Sequence, residues 1–248
     1  MGKPVYKYRS SNAESIPASA IGILATSSST DDRLIARELR TVILGYVPAF
    51  SQSTEAISDV AGEVAFLKSR ASLVSIETGV RGIGMMSWSG GPNPLEVHQA
   101  LLTAARAGKA FFHLSRIYPV LCIVPARPKA IAVALSEALN SHLSKMEVTS
   151  EKLYLQLDIK VRNNSGLTGS DILKETSPAI LKTLDDRKIE GHILAAAGDL
   201  TLLVHVCRKR AFCGIVPPDR VSNFSVTTAA SKENAEHPST TTGSKDSF

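Results

Sequence analysis

At 248 residues the chain has room for one large domain or two small ones, and 44% hydrophobic against 21% charged residues is globular rather than disordered composition. A formal net charge of +5 favours acidic partners such as nucleic acid or an anionic membrane surface. No apolar run approaches the roughly 18 residues of a membrane-crossing helix, and residues 1–30 lack the apolar core of a secretory signal, so the expectation is a protein that is not secreted.

Taken in chain order, residues 1–30 are rich in Ser, Ala and Asn and read as a flexible N-terminal segment. In Asp31–Leu44 the residues Ile35, Leu39, Val42 and Ile43 share one helical face. A second helix is predicted over Ser53–Lys68, and a short strand over Ser72–Thr78. The Gly/Pro/Ser cluster Ser87–Pro94 is the best internal boundary, near 87–94, of a core taken to span 31–225. Asn93-Pro94-Leu95-Glu96 opens a helix that stops at Gly108, with a capping residue and a proline in its first turn.

Tyr118–Val124 is a continuous apolar run bounded by prolines and reads as one strand buried on both faces. Pro128–Lys145 returns to helical spacing through Ile131, Leu135 and Leu139. Leu153, Leu155, Leu157, Ile159 and Val161 alternate with Tyr154, Gln156, Asp158 and Lys160, the pattern of a strand with one dry and one wet face. Ser170–Leu184 reads as a helix interrupted by Pro178. His192–Ala197 and Leu200–Cys207 read as a hairpin around Gly198-Asp199. From 226 to 248 the chain has no Ile, Leu or Met, and this polar C-terminal tail reads as disordered. The fold class is therefore α+β, with helices packed on a mostly antiparallel sheet and disordered polar ends.

No P-loop, Gly-x-Ser-x-Gly elbow, His-Glu-x-x-His or Cys-x-x-Cys occurs, and no catalytic or metal-ligating residue is assigned. Cys122, Cys207 and Cys213 are an odd, widely spaced set, as in a protein of a reducing compartment. Gly79–Gly84 is the wrong permutation of a dinucleotide-binding loop and reads as a glycine connector. Tyr118-Pro119-Val120-Leu121 matches a docking pattern for budding machinery, but its apolar surroundings read as buried strand.

Two basic groups carry the candidate site residues. Arg33, Arg37 and Arg40 lie opposite the apolar stripe of the first helix; this is a solvated face or a contact to membrane or phosphate. Arg208-Lys209-Arg210 directly follows the last expected strand and would suit a nuclear-import signal or a phosphate contact.

A basic chain with mobile polar ends, an α+β core and no active site resembles the matrix proteins of plant-infecting, nuclear-group rhabdoviruses. The order of strand, helix and hairpin over residues 150–225 carries the likeness. The resemblance implies a structural protein rather than an enzyme, without cofactors. It would self-associate as a homo-oligomer and bridge the viral nucleocapsid or RNA to an anionic membrane surface, condensing the nucleocapsid. The location implied is the virion and the host nucleus or cytoplasm, peripheral at membranes, with a nuclear import receptor as a further partner. The alternatives are a nucleic-acid-binding or viral movement protein, or an enzyme without a recognisable signature.

Overall fold

Ile21–Ser27 forms a strand, β1, although it lies within the segment that composition assigns to a flexible N-terminus. Its middle residues are buried on both faces because β1 is an inner strand between β3 and β4. In a computed structural model, residues 20–27, 31–50, 73–89, 91–145, 151–196, 198–217 and 226 are described. The helix expected over Ser53–Lys68 and most of the two polar ends lie outside these described residues.

The described elements continue with α1 (Asp32–Tyr46), a 3-10 turn (Pro48–Phe50), β2 (Val74–Glu77), β3 (Ile83–Trp88) and α2 (Pro94–Arg106). Then come β4 (Leu114–Val120), β5 (Cys122–Pro125), α3 (Pro128–Lys145), β6 (Lys152–Arg162), α4 (Gly169–Asp185), β7 (Glu190–Leu194), β8 (Leu200–Cys207) and β9 (Arg210–Val216). Local chemistry sets the helix starts. The Asp31 carboxylate accepts from the Arg33 amide at 2.9 Å, and the Asn93 side chain accepts from the Leu95 amide at 2.9 Å, just before Pro94. Thr168 and Asp171 form a reciprocal capping box at α4.

Two sheets result, and helices pack on both, as the α+β reading anticipates. The first has strand order β2-β3-β1-β4 and is antiparallel throughout. The second has order β5-β9-β8-β6-β7 and is mixed: β5, β9 and β8 pair antiparallel, while β6 pairs parallel with both β8 and β7. The apolar faces of α1 and α2 pack on one side of the first sheet, against Ile23, Ala25, Met86, Trp88 and Ile117. The other side, through Leu24, Ile83, Met85, Tyr118 and Val120, meets Leu203, Cys207, Phe212 and Val216 of the second sheet. The far side of the second sheet is covered by α3 and α4, whose Ile131, Leu135, Ile172 and Ile180 pack on Leu155, Leu202 and Val204. The order is thus helices, sheet, sheet, helices.

The strand, the hairpin and the chain exit read from the sequence are corrected by this arrangement. Tyr118–Val124 is two strands in two sheets: the chain leaves β4 at Val120, and the Leu121 amide donates to the Cys213 carbonyl at 2.8 Å as β5 begins. The Gly198-Asp199 hairpin does not form. β7 and β8 flank β6 on opposite sides, and Gly198 is needed for close approach, since a Cβ there would lie 2.6 Å from the Tyr154 carbonyl oxygen. The true hairpin is β8–β9, so Arg208 and Lys209 form a turn inside the fold rather than an exit from it. The Ser87–Pro94 cluster joins β3 to α2 within one packed layer, with Trp88 and Val97 in the same core.

Candidate functional site

Sheet periodicity puts Leu153, Leu155, Leu157, Ile159 and Val161 of β6 under the helices, so Tyr154, Gln156, Asp158, Lys160 and Arg162 share the opposite face. On β8 and β9 that opposite face is covered by the first sheet. No residue of β6 or β7 belongs to the core between the sheets. The face of β6 and β7 is consequently half-open, and Gln156 through Arg162 are each half-buried.

Two aromatic rings sit on this open face. Tyr154 of β6 is paired with His192 of β7; their rings are stacked, 5.2 Å apart between centroids and inclined by 20°. Tyr154 is 40% exposed. Its backbone is held on the other side by Asp199, whose carboxylate accepts from the Tyr154 amide at 2.8 Å and whose amide donates to the Tyr154 carbonyl at 2.6 Å. At its own edge, Glu190 accepts from His192 at 3.0 Å and pairs with Lys152 at 3.0 Å. Hydrogen bonds from Lys152 and His192 hold the Glu190 carboxyl below its usual range.

Further along β6 the row turns cationic. The Lys160 ammonium is 2.8 Å from Asp158, 3.4 Å from the Tyr118 hydroxyl and 5.1 Å above the Tyr118 ring. The other face of Tyr118's surroundings is His205 of β8, tilted at 4.2 Å between ring centroids. His205 is 2% exposed and both of its ring nitrogens lack a hydrogen-bond partner. Burial, with Lys160 nearby, lowers its pKa to about 3, so it is a neutral ring at any physiological pH. Arg162 follows at the end of the row, opposite Cys207.

The β8–β9 turn continues the row. The Arg208 amide donates to the Arg162 carbonyl at 3.0 Å, and the Asn164 side-chain amide donates to the Arg208 carbonyl at 2.6 Å. The Arg208 side chain lies against Gly79 in the β2–β3 turn, where φ is +70° and a Cβ would come within 2.9 Å of it. That turn is tied to α1 by the Gly82 amide, which donates to the Asp32 carboxylate at 3.3 Å. Arg208 and Lys209 are exposed, whereas Arg210 is half-buried in β9 with one buried terminal nitrogen unpartnered. The basic triplet is therefore split by the fold.

Arg33, Arg37 and Arg40 are exposed on the outer face of α1, opposite the buried Ile35, Leu39, Val42 and Ile43, as their spacing implies. They occupy a different layer from the open face of β6. Tyr154, His192 and Arg162 were not singled out by sequence. The signal was an aromatic followed by basic residues on the wet side of one strand, and it gained meaning only once β6 was seen to be an inner strand left half uncovered.

Among the described residues no group of three or more His, Cys, Asp or Glu side chains could hold a metal ion, and no helix is long and apolar enough to cross a membrane. No family model and no curated protein matches the chain. Solved structures do match. PH1313 from Pyrococcus horikoshii is 11% identical over 79% of this chain and 55% of its own, with a TM-score of 0.48. A predicted N6-adenine-specific DNA methylase from Listeria monocytogenes is 11% identical over 79% and 40%, at 0.40. A 4-thiouridine synthetase in complex with RNA and ATP is 11% identical over 80% and 42%, at 0.45.

The chain spans about half of these proteins or less. Methylases and a synthetase are among the solved structures that match, and the viral matrix likeness finds no support there. The rhabdovirus resemblance is withdrawn on that finding. With it go the matrix role, the alternative of a nucleic-acid-binding or viral movement protein as the chain's whole role, and the expectation that the chain is not an enzyme. At this identity and these scores the likeness carries no activity over to this chain.

Proposed function

We propose that the open face of β6 and β7 docks a single-stranded segment of an RNA substrate. The observation that supports this is the stacked Tyr154–His192 pair on an uncovered sheet face, in line with Lys160, Arg162, Arg208 and Lys209. An exposed aromatic plane accepts any base by stacking, worth about 1–3 kcal/mol per base, while neighbouring cations follow the phosphates. RNA offers such unstacked bases in loops and ends, where sheet-borne aromatics are a recurring mode of recognition.

Charge is distributed to suit that division of labour. Lys152 and Glu190 offset each other beside the rings, and Lys160 is offset by Asp158. Beyond the rings the row carries Arg162 and, at the β8–β9 turn, the exposed Lys209. Lys160 lies six positions along the strand from Tyr154, which is ~20 Å of extended strand, room for a few nucleotides. This reading needs neither membrane nor self-assembly, only a strand laid along β6.

Photocrosslinking tests it. A short oligoribonucleotide carrying 4-thiouridine, irradiated with the full-length protein and digested, should attach to the peptides containing Tyr154 or His192. Attachment confined to α1 or to the helices over the second sheet would overturn the placement.

A further inference from the structure

The structure assigns one further feature: Cys122 and Cys213 form a modification site, a cross-strand thiol pair that a small disulfide oxidises to an intramolecular disulfide bond. The two residues are direct partners in the antiparallel β5–β9 ladder. Opposed residues in such a ladder have Cα atoms about 4.5–5.5 Å apart, inside the about 4.4–6.8 Å range that a disulfide spans. Both side chains lie on the α3 side of the sheet, in or against the core there. The two thiols influence each other's ionisation across the ladder.

The third cysteine is excluded by parity. Cys207 on β8 pairs with Arg210 and faces the core between the two sheets, on the other side of β9 from Cys213. Burial also pushes its thiol up to about 12. The two partners differ in a way that orders the chemistry. The neighbouring Cys213 holds the Cys122 thiol below its ordinary range, and Cys122 is half-buried at the edge strand of the sheet. The Cys122 thiol, and complete burial, push the Cys213 thiol well up. Cys122 is the nucleophile and Cys213 the resolving thiol.

In the first step the Cys122 thiolate attacks one sulfur of oxidised glutathione. A bond forms from Cys122 to that sulfur, the glutathione S–S bond breaks, and one glutathione leaves as a thiolate that takes up a proton. The Cys213 sulfur then attacks the Cys122 sulfur, and the second glutathione departs with the Cys213 proton. Two protein thiols are oxidised and one small disulfide is reduced to two thiols. Cys213 never needs access to solvent, which its burial would forbid.

The folded, full-length protein is incubated with oxidised glutathione, alkylated, and read by intact mass and by peptide mapping. The expected product has lost two hydrogens and yields one cross-linked peptide pair containing Cys122 and Cys213, with Cys207 alkylated only after unfolding. The variant Cys213→Ser should stop at a stable glutathione adduct on Cys122, and Cys122→Ser should give neither product, with circular dichroism confirming that both are folded. A wild-type protein that stops at the mixed disulfide, one that does not react while folded, or a bridge through Cys207 would overturn the assignment. So would glutathionylation of Cys213 in Cys122→Ser.

Discussion

Tyr154 and His205 lie on neighbouring strands, yet they illustrate opposite fates for a ring on the same sheet face. Tyr154 is left partly in solvent beside His192, so its removal costs the fold little and a ligand much. Tyr154→Ala should weaken oligoribonucleotide binding about 5- to 150-fold, the equivalent of one stacked base, with the urea midpoint nearly unchanged. His205 is sealed under the first sheet with unpartnered nitrogens. Its folded pKa, about 3, lies below the ordinary histidine value, so the unfolded chain binds the proton more readily. The sign follows: the stability tied to this group is complete above about pH 6.5 and is lost as pH falls from there towards 3. Between pH 7 and pH 5 the loss is about 2 kcal/mol from this ring, and the desolvated His142, whose pKa is also lowered, acts in the same direction. Urea titrations at the two pH values should show the drop in the wild type and a much smaller one in His205→Phe. An equal drop in both would remove His205 as its cause.

Among the elements, those with strong local chemistry were legible in the sequence. The Asn93-Pro94 start of α2, the helical spacing of α3 and the alternation of β6 each place the element within a residue or two of where it lies. β9 was missed because the basic triplet looks like an exit, whereas Arg208 adopts a positive φ of 55° and turns the chain back into the sheet. β1 was missed because polar neighbours mask a short buried run. Gly198 shows the ambiguity most directly, since the same Gly-Asp pair serves a tight turn or a close backbone crossing, and only the partner strand decides. Two substitutions test the packing. Gly214→Ala puts a methyl on the Pro119 carbonyl oxygen where β9 passes β4, and should cost about 3 kcal/mol of unfolding free energy. Gly45→Ala, in the last turn of α1 with nothing within 4 Å of the new methyl, should gain about 0.5–1 kcal/mol. Chemical denaturation of the pair measures both. A neutral Gly214→Ala would mean that the two sheets are not in contact there.

For the whole molecule, the periodicity of each strand reveals that a face is buried but not what covers it, which is why the two-sheet stack and the uncovered half of the second sheet were not readable from sequence. The open face exists because the first sheet covers β5, β9 and β8 and reaches β6 at Lys160, through Tyr118, while no residue of β6 or β7 enters the core between the sheets. The basic surfaces on α1 and along β6 are therefore separate, and they should respond differently to salt. Reversing Arg33, Arg37 and Arg40 to Glu changes only the distant field, so any loss of RNA affinity should fade as salt is raised and the Debye length contracts to about 8 Å or less. The loss caused by Tyr154→Ala should persist. Fluorescence anisotropy of a short labelled oligoribonucleotide, titrated with wild-type protein and with the double variant Tyr154→Ala/Arg162→Glu over a range of salt, measures RNA docking on β6. The wild type should bind saturably with a logarithmic salt slope of about −2, as three phosphate contacts to Arg162, Arg208 and Lys209 require. The double variant should show a shallower slope and at least a tenfold weaker affinity. Equal affinities and slopes for the two proteins would contradict RNA docking on β6.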